Sequence, residues 1–194
     1  MPRLKRVLYD GAAYHIVQRG HNKDRLFTGP QDFTVFKDAI RKYKNRFSFD
    51  IYHYCLMSNH IHILLRVTKG EDLPRILQGI TQSYSFYYRK TYKYTGYVYQ
   101  NRYKSFLIEK DSYLLECGRY IERNPLRAGM VEELSQYHWS SYNFYSKGCK
   151  DDIITYSPMY EALGVTVQQR ILRYGEYVLE PRPYEQVLDK AIIG

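Results

Sequence analysis

Cysteine and tryptophan are scarce in this 194-residue chain, which holds three of the first and one of the second. Cys55, Cys117 and Cys149 lie far apart and form no C-x-x-C pair, so neither a disulfide framework nor a cysteine-built zinc site is indicated, and a reducing cytoplasm fits best. No apolar run reaches about 18 residues, and the basic start "MPRLKRVLYDGAAYH" lacks a long apolar segment. Membrane insertion and export are therefore not expected. Internal repeats and low-complexity tracts are absent too.

Acidic residues are also in short supply. Twenty Asp and Glu face 29 Lys and Arg, for a formal charge of +9 and a pI near 9.3, a balance that favours a polyanionic partner, with nucleic acid the first suspect. Tyrosine is what the chain has in excess, 23 against 8 Phe. Rings carrying hydroxyls can stack on unpaired bases and bond phosphates, although for most of the 23 the expectation is that they fill half-buried positions.

The length allows one well-cored domain with a modest appendage. "AAYHIVQRG" alternates as a strand with Tyr14, Ile16 and Gln18 on one side. Pro30 suits the first turn of a helix whose Phe33, Phe36, Ile40, Tyr43 and Phe47 recur at helical steps. "FDIYHYCLM" and "HIHILLRV" read as antiparallel strands joined tightly through Ser58 and Asn59. Asp72 can cap a second helix, with Leu73, Ile76, Leu77, Ile80, Tyr84 and Tyr87 on its apolar face, that fades near Thr95 and Gly96. "YKSFLIEK" reads as a fourth strand, and Asp111 or Ser112 caps a third helix, "YLLECGRYIER", ended by Asn124-Pro125.

The order β-α-β-β-α-β followed by a helix predicts an α+β, ferredoxin-like sheet with an added helix packed against it. Residues 1–146 form that domain. Residues 147–194 read as a looser, partly helical C-terminal extension, with a last helix over 166–178 that could cover the active face, contact a partner or complete the core. The fold hosts many functions, so the site must decide.

In "CLMSNHIHILL" two histidines sit one residue apart on a strand. Alternation projects His60 and His62 together from one face while Ile61, Ile63 and Leu65 enter the opposite, apolar layer. Two neutral imidazoles on a rigid strand can supply two ligands to a divalent cation and leave positions for a third side chain, water and phosphate oxygens. An isolated H-x-H also occurs as a pair of satisfied polar positions. A two-residue hairpin would set Cys55 opposite His62, where a thiolate could join a zinc site; a buried, inert Cys55 is the simpler reading.

In "RYIERNPLRAG" Tyr120 and Asn124 are four apart, so a helix presents both on one side, together with Glu116. A phenol with pKa near 10 needs a cation or base to become a nucleophile at neutral pH, and a metal beside it would serve. The bland alternative is that Tyr120 packs and Asn124 caps the helix end.

Taken together, "YCLMSNHIHILL" and "NRYKSFLIEKDSYLLECGRYIERNPLRAGMVEELSQYHWSSY" closely resemble the REP-associated tyrosine transposases of the HUH single-stranded-DNA transposase superfamily, over roughly residues 3 to 145. His60-Ile61-His62 and Tyr120 through Asn124-Pro125 match the family's two motifs in order. The resemblance implies a metal-dependent transesterification in single-stranded DNA beside hairpins of repeated extragenic palindromes, with a 5′-phosphotyrosine intermediate and no nucleotide cofactor. It makes Tyr120 the nucleophile and His60 and His62 ligands of Mg²⁺ or Mn²⁺. Asn124 is the candidate third ligand, with Glu116 its rival. Arg19, Arg102, Lys104 and Arg127 lie near the motif segments and could neutralise phosphates. "HWSSY" also matches the family but assigns no role. The expected protein is a cytoplasmic, nucleoid-associated monomer or homodimer. Two readings compete with it: a non-cleaving hairpin binder and a ferredoxin-like RNA-binding module, which would bind without metal.

Overall fold

The computed structural model of the protein describes residues 7–183 together with Glu185 and Ile192. The start of the resemblance near residue 3 and much of the chain's end lie outside the described residues. Four antiparallel strands, β1 (Ala13–Arg19), β2 (Phe49–Leu56), β3 (His60–Val67) and β4 (Lys104–Ile108), form one sheet in the order β2-β3-β1-β4. That is the ferredoxin-like arrangement expected from the element order.

Two helices, α1 (Pro30–Lys44) and α2 (Leu73–Tyr92), cover one face. Their apolar stripes meet Tyr14, Ile16, Ile61, Ile63, Leu65 and Val67 in the main core. Each such aliphatic side chain contributes about 1.5–3 kcal/mol by leaving water. The expected faces of β1 and β3 both hold. Asp32 joins the two helices. Its carboxylate accepts from the backbone of Thr28 and Gly29 at the start of α1 and from the hydroxyls of Tyr87 and Tyr92 on α2.

The β2–β3 hairpin closes as expected around Ser58 and Asn59, with Met57 N donating to the His60 carbonyl at 2.9 Å. The caps differ. Asp72 and Asp111 stand at the starts of α2 and α3 (Ser112–Glu122), but neither carboxylate caps its helix. Asp111 instead pairs with Arg66 at 2.7 Å, and Asp72 lies 3.4 Å from Arg75. Both residues already have helical dihedrals, which turn the side chain away from the backbone N–H groups that a cap must reach.

The added helix α3 packs across the other face of the sheet, mainly over β2 and β3. It ends at Glu122, where Asn124-Pro125 was expected to stop it, yet Arg123 stays helical and a further turn, α4 (Asn124–Arg127), follows with Pro125 in its first turn. Residues 137–141 then run along the open edge of β2: Leu56 N donates to the Trp139 carbonyl, Ser141 N to that of Tyr54, and Tyr137 Oη to that of Leu56. This covers an edge that would otherwise offer unpaired backbone groups.

Beyond it lie α5 (Tyr142–Lys147), α6 (Pro158–Glu161) and α7 (Val167–Leu179), the last capped by Thr166. They form a small core of Leu134, Tyr142, Tyr145, Tyr160, Tyr174 and Val178. Tyrosine is used here in a way composition did not predict. Tyr54, Tyr84, Tyr145, Tyr160 and Tyr174 are wholly buried, and every hydroxyl donates to an internal carbonyl or carboxylate. A ring with such a partner can fill a core without leaving a polar atom unpaired.

Candidate active site

The uncovered sequence problem was the histidine pair, and the ladder registers settle where it points. His62 lies opposite Val17 on β1 and Cys55 on β2, and His60 lies opposite Arg19, so these side chains share the face that α3 covers. His15 belongs to the same face and brings its Nε2 to 3.0 Å from Nδ1 of His62, with the rings stacked at 5.2 Å.

Tyr120 reaches this group from α3. Its ring meets those of His62 and His15 edge-on, each at 5.9 Å between centroids. Arg127, about two turns further along, lays its guanidinium 4.6 Å over the phenol ring and donates to the Tyr120 carbonyl at 3.1 Å. Asn124 is buried, and both its N–H bonds go to the carbonyls of Tyr120 and Ile121, so a cation could take only its Oδ1. Glu116 is turned elsewhere: it bonds Arg119 on its own helix and the Tyr177 hydroxyl on α7.

Burial decides the charge state of the imidazoles. It pushes the His15 pKa down to about 3, and it holds His62 well below the usual histidine range, helped by the neighbouring His15, His60 and Arg127 charges. Neutral rings keep a lone pair. His60 directs Nδ1 at the Asn59 side-chain oxygen, 2.7 Å away, and its Nε2 is buried. Nε2 of His62 is also buried and makes no hydrogen bond among the described residues. If Nδ1–H of His62 donates to His15, that Nε2 is left as an acceptor for a cation, the arrangement by which an outer group fixes the tautomer of a ligating histidine. Two imidazole nitrogens and an amide oxygen suit Mn²⁺ better than Mg²⁺. Among the described residues no three His, Cys, Asp or Glu side chains are grouped so that they could hold a metal.

Cys55 does lie opposite His62, but burial, with the Glu122 charge behind it, raises its thiol well above the ordinary range, and its Sγ contacts Met57 Sδ. The inert reading of Cys55 stands.

The four basic candidates divide. Arg19, Arg102 and Lys104 line a cavity of about 230 Å³ at the end of β1 and the start of β4, shared with Gln18, Gln100 and Asn101. Arg127 lies instead on Tyr120. Ile192 also borders the cavity, packs in the same apolar cluster as Tyr120, and accepts at its carbonyl from Lys104 Nζ.

The model of the family described as "Transposase IS200 like" matches residues 9–124, more than half of the chain, including His60 to His62 and Tyr120 to Asn124. The chain belongs to the IS200-like transposase family. A Haemophilus influenzae protein provisionally named REP-associated tyrosine transposase is 23% identical over 124 residues, or 56% of this chain and 67% of that one. The solved structure of a REP-associated tyrosine transposase bound to a REP hairpin superimposes with a TM-score of 0.64 at 18% identity, covering 81% of this chain and 96% of that one. Both agree with the resemblance read from the motifs. Within this IS200-like transposase, His15 is the site residue that sequence reading missed. Its signal was present: alternation on β1 sets His15 opposite in facing to Tyr14 and Ile16, and a ferredoxin-like order puts β1 beside the histidine strand.

Proposed function

We propose that this IS200-like transposase cleaves and rejoins single-stranded DNA beside hairpins formed by repeated extragenic palindromes, with Tyr120 as nucleophile. The observation that carries the reading is the convergence of Tyr120, from α3, on the buried imidazoles of β1 and β3. The relative solved with a REP hairpin supports the choice of DNA.

His60 and His62, with Asn124 Oδ1, would hold a divalent cation, Mn²⁺ by the chemistry of the donor set. When bound, such an ion offsets charge on the scissile phosphate oxygens. Tyr120 Oη forms a bond to phosphorus, the bond from phosphorus to the 3′ oxygen breaks, and the 3′ oxygen leaves as a hydroxyl. The phosphodiester energy is kept in the 5′-phosphotyrosine, so reversal by a 3′-hydroxyl rejoins a strand without a nucleotide cofactor. Arg127 over the phenol ring favours the developing phenolate. His15 orients His62, and Arg19, Arg102 and Lys104 offer phosphate contacts along one path toward the site.

The test is incubation with labelled hairpin-bearing single strands from the flanks of its own gene, in Mn²⁺ or EDTA, beside Tyr120→Phe. A covalent adduct on denaturing gels that needs Mn²⁺ and disappears in the variant is the expected result. Tight hairpin binding with no adduct would replace this reading with a non-cleaving binder. Binding to RNA that is indifferent to metal and to loss of both histidines would favour the RNA module.

A further inference from the structure

Glu122 is two residues after Tyr120, and nothing in the chemistry above uses it. Yet it is fully buried, and three elements reach it. His53 Nδ1 from β2 lies 2.9 Å from Oε1, Ser141 Oγ from the head of α5 donates to the same oxygen, and Tyr174 Oη from α7 donates to Oε2 at 2.7 Å. All three partners are themselves fully buried. One turn earlier on the same side of α3, Gly118 lets the helix come down on His53: a Cβ there would lie 2.6 Å from the imidazole ring. That ring also stacks on Tyr145 at 4.4 Å.

We propose that Glu122 is a positioning residue for Tyr120, and that its buried clasp of His53, Ser141 and Tyr174 sets the roll of α3 over the sheet. The proposal rests on the reading of Tyr120 as nucleophile. Residues 120 and 122 are about 200° apart around a helix, so a helix that rolls about the Gly118–Glu122 seam swings the phenol through the same angle on the far side. A displacement of about 1 Å at a reacting atom costs on the order of a hundredfold in rate. Stability alone does not call for this arrangement, because a buried polar cluster is commonly matched or bettered by apolar side chains of similar volume, and apolar rings already surround it. An acceptor-only carboxylate meeting donors from three directions supplies geometry that an apolar contact lacks. Ser141 gives "HWSSY" a role, and Tyr174 makes α7 a support of the nucleophile's helix.

Two variants test this in the full chain, with the flanking hairpin strand and Mn²⁺ as probe. Glu122→Leu keeps the volume and removes every acceptor, and Glu122→Gln keeps one. The expected result is hairpin affinity within about threefold of the parent for both, with the single-turnover adduct rate down about a hundredfold in Glu122→Leu and partly restored in Glu122→Gln. Should Glu122→Leu fail to fold, Tyr174→Phe, which deletes one hydroxyl more than fifty residues from Tyr120 in sequence, carries the same expectation at smaller size. A ¹⁹F resonance from 3-fluorotyrosine at position 120 reports the ring without any chemistry and should shift or broaden in the folded variants. An unchanged resonance with a parental rate, or a rate loss that only follows hairpin affinity, overturns the clasp. A parent that forms no adduct sinks the nucleophile reading, and the ¹⁹F line then still decides whether Glu122 places the ring.

Discussion

The two faces of the sheet are built from the same strands by opposite rules. On the α1–α2 face, Tyr14, Ile16, Ile61, Ile63 and Leu65 enter an apolar core, where the Asp32 carboxylate and the Tyr84 hydroxyl both find partners. On the α3 face the same strands present His15, His60 and His62, and burial there leaves Nε2 of His62 with no hydrogen bond among the described residues. An unpaired buried nitrogen costs on the order of 1–3 kcal/mol. The first face holds the protein together, and on the proposed function the second keeps imidazole lone pairs where a cation could use them. One residue of register separates the two, since a one-residue slip of β3 would exchange them.

The sharpest way to break this contrast is to delete one hydroxyl from each face. Tyr120→Phe should abolish the covalent adduct, a loss of about a thousandfold or more. Tyr84→Phe should cost about 1–2 kcal/mol, because the Leu26 carbonyl loses its donor, and should leave adduct formation at the parental rate. If the two variants exchanged phenotypes, the division of labour between the faces would be wrong.

Removing the imidazole behind the histidine pair comes next. His15→Phe should weaken Mn²⁺ binding by about 10–100-fold in calorimetric titration, as loss of an outer partner to a ligating histidine does. Unchanged affinity would mean that His15 only packs.

Acid should separate the faces by pH. Below about 6.5 an unfolded chain protonates His15 while the folded one, with its pKa near 3, does not, so stability drains away by about 1.4 kcal/mol per pH unit between those values. Asp32 loses stability in the same direction but over a lower range of pH. Burial raises its pKa, but four hydrogen bonds outweigh that and hold it below the usual value, so its contribution persists above about pH 4 and is lost only as pH falls further. Urea unfolding in EDTA between pH 7 and 5 should therefore show a slope that His15→Phe reduces, leaving the part that buried His62 contributes, and that Asp32→Asn does not change.

The smallest effects belong to the rim. Lys104→Ala or Arg102→Ala should each lower the slope of log Kd for hairpin DNA against log salt by about one. Arg41→Ala should leave it alone, since Arg41 is paired with Asp152 and Asp38 on the α1 side.

Much of this was legible along the chain. Period-two alternation in "HIHILL" set the facing of His60 and His62, helical periods placed α1, α2 and α3, and the β-α-β-β-α-β order pointed to the ferredoxin-like sheet that the structure shows. These are local signals, fixed by backbone geometry whatever the rest of the chain does. The spacing of Tyr120 and Asn124 was of the same kind.

What lay outside that reach were pairings between residues far apart in sequence. His15 meets His62 across 47 residues, His53 meets Glu122 across 69, and Ser141 and Tyr174 arrive from elements that no periodicity had marked as part of the site. Nor could composition tell that five tyrosines are wholly buried, because a hydroxyl's place inside depends on which carbonyl it meets. Sequence alone determined which side chains face together on each element. Only the packing of α3 and α7 on the sheet decided which of those faces meet, because burial, charge state and hydrogen-bond partners are properties of the contact and not of the residue.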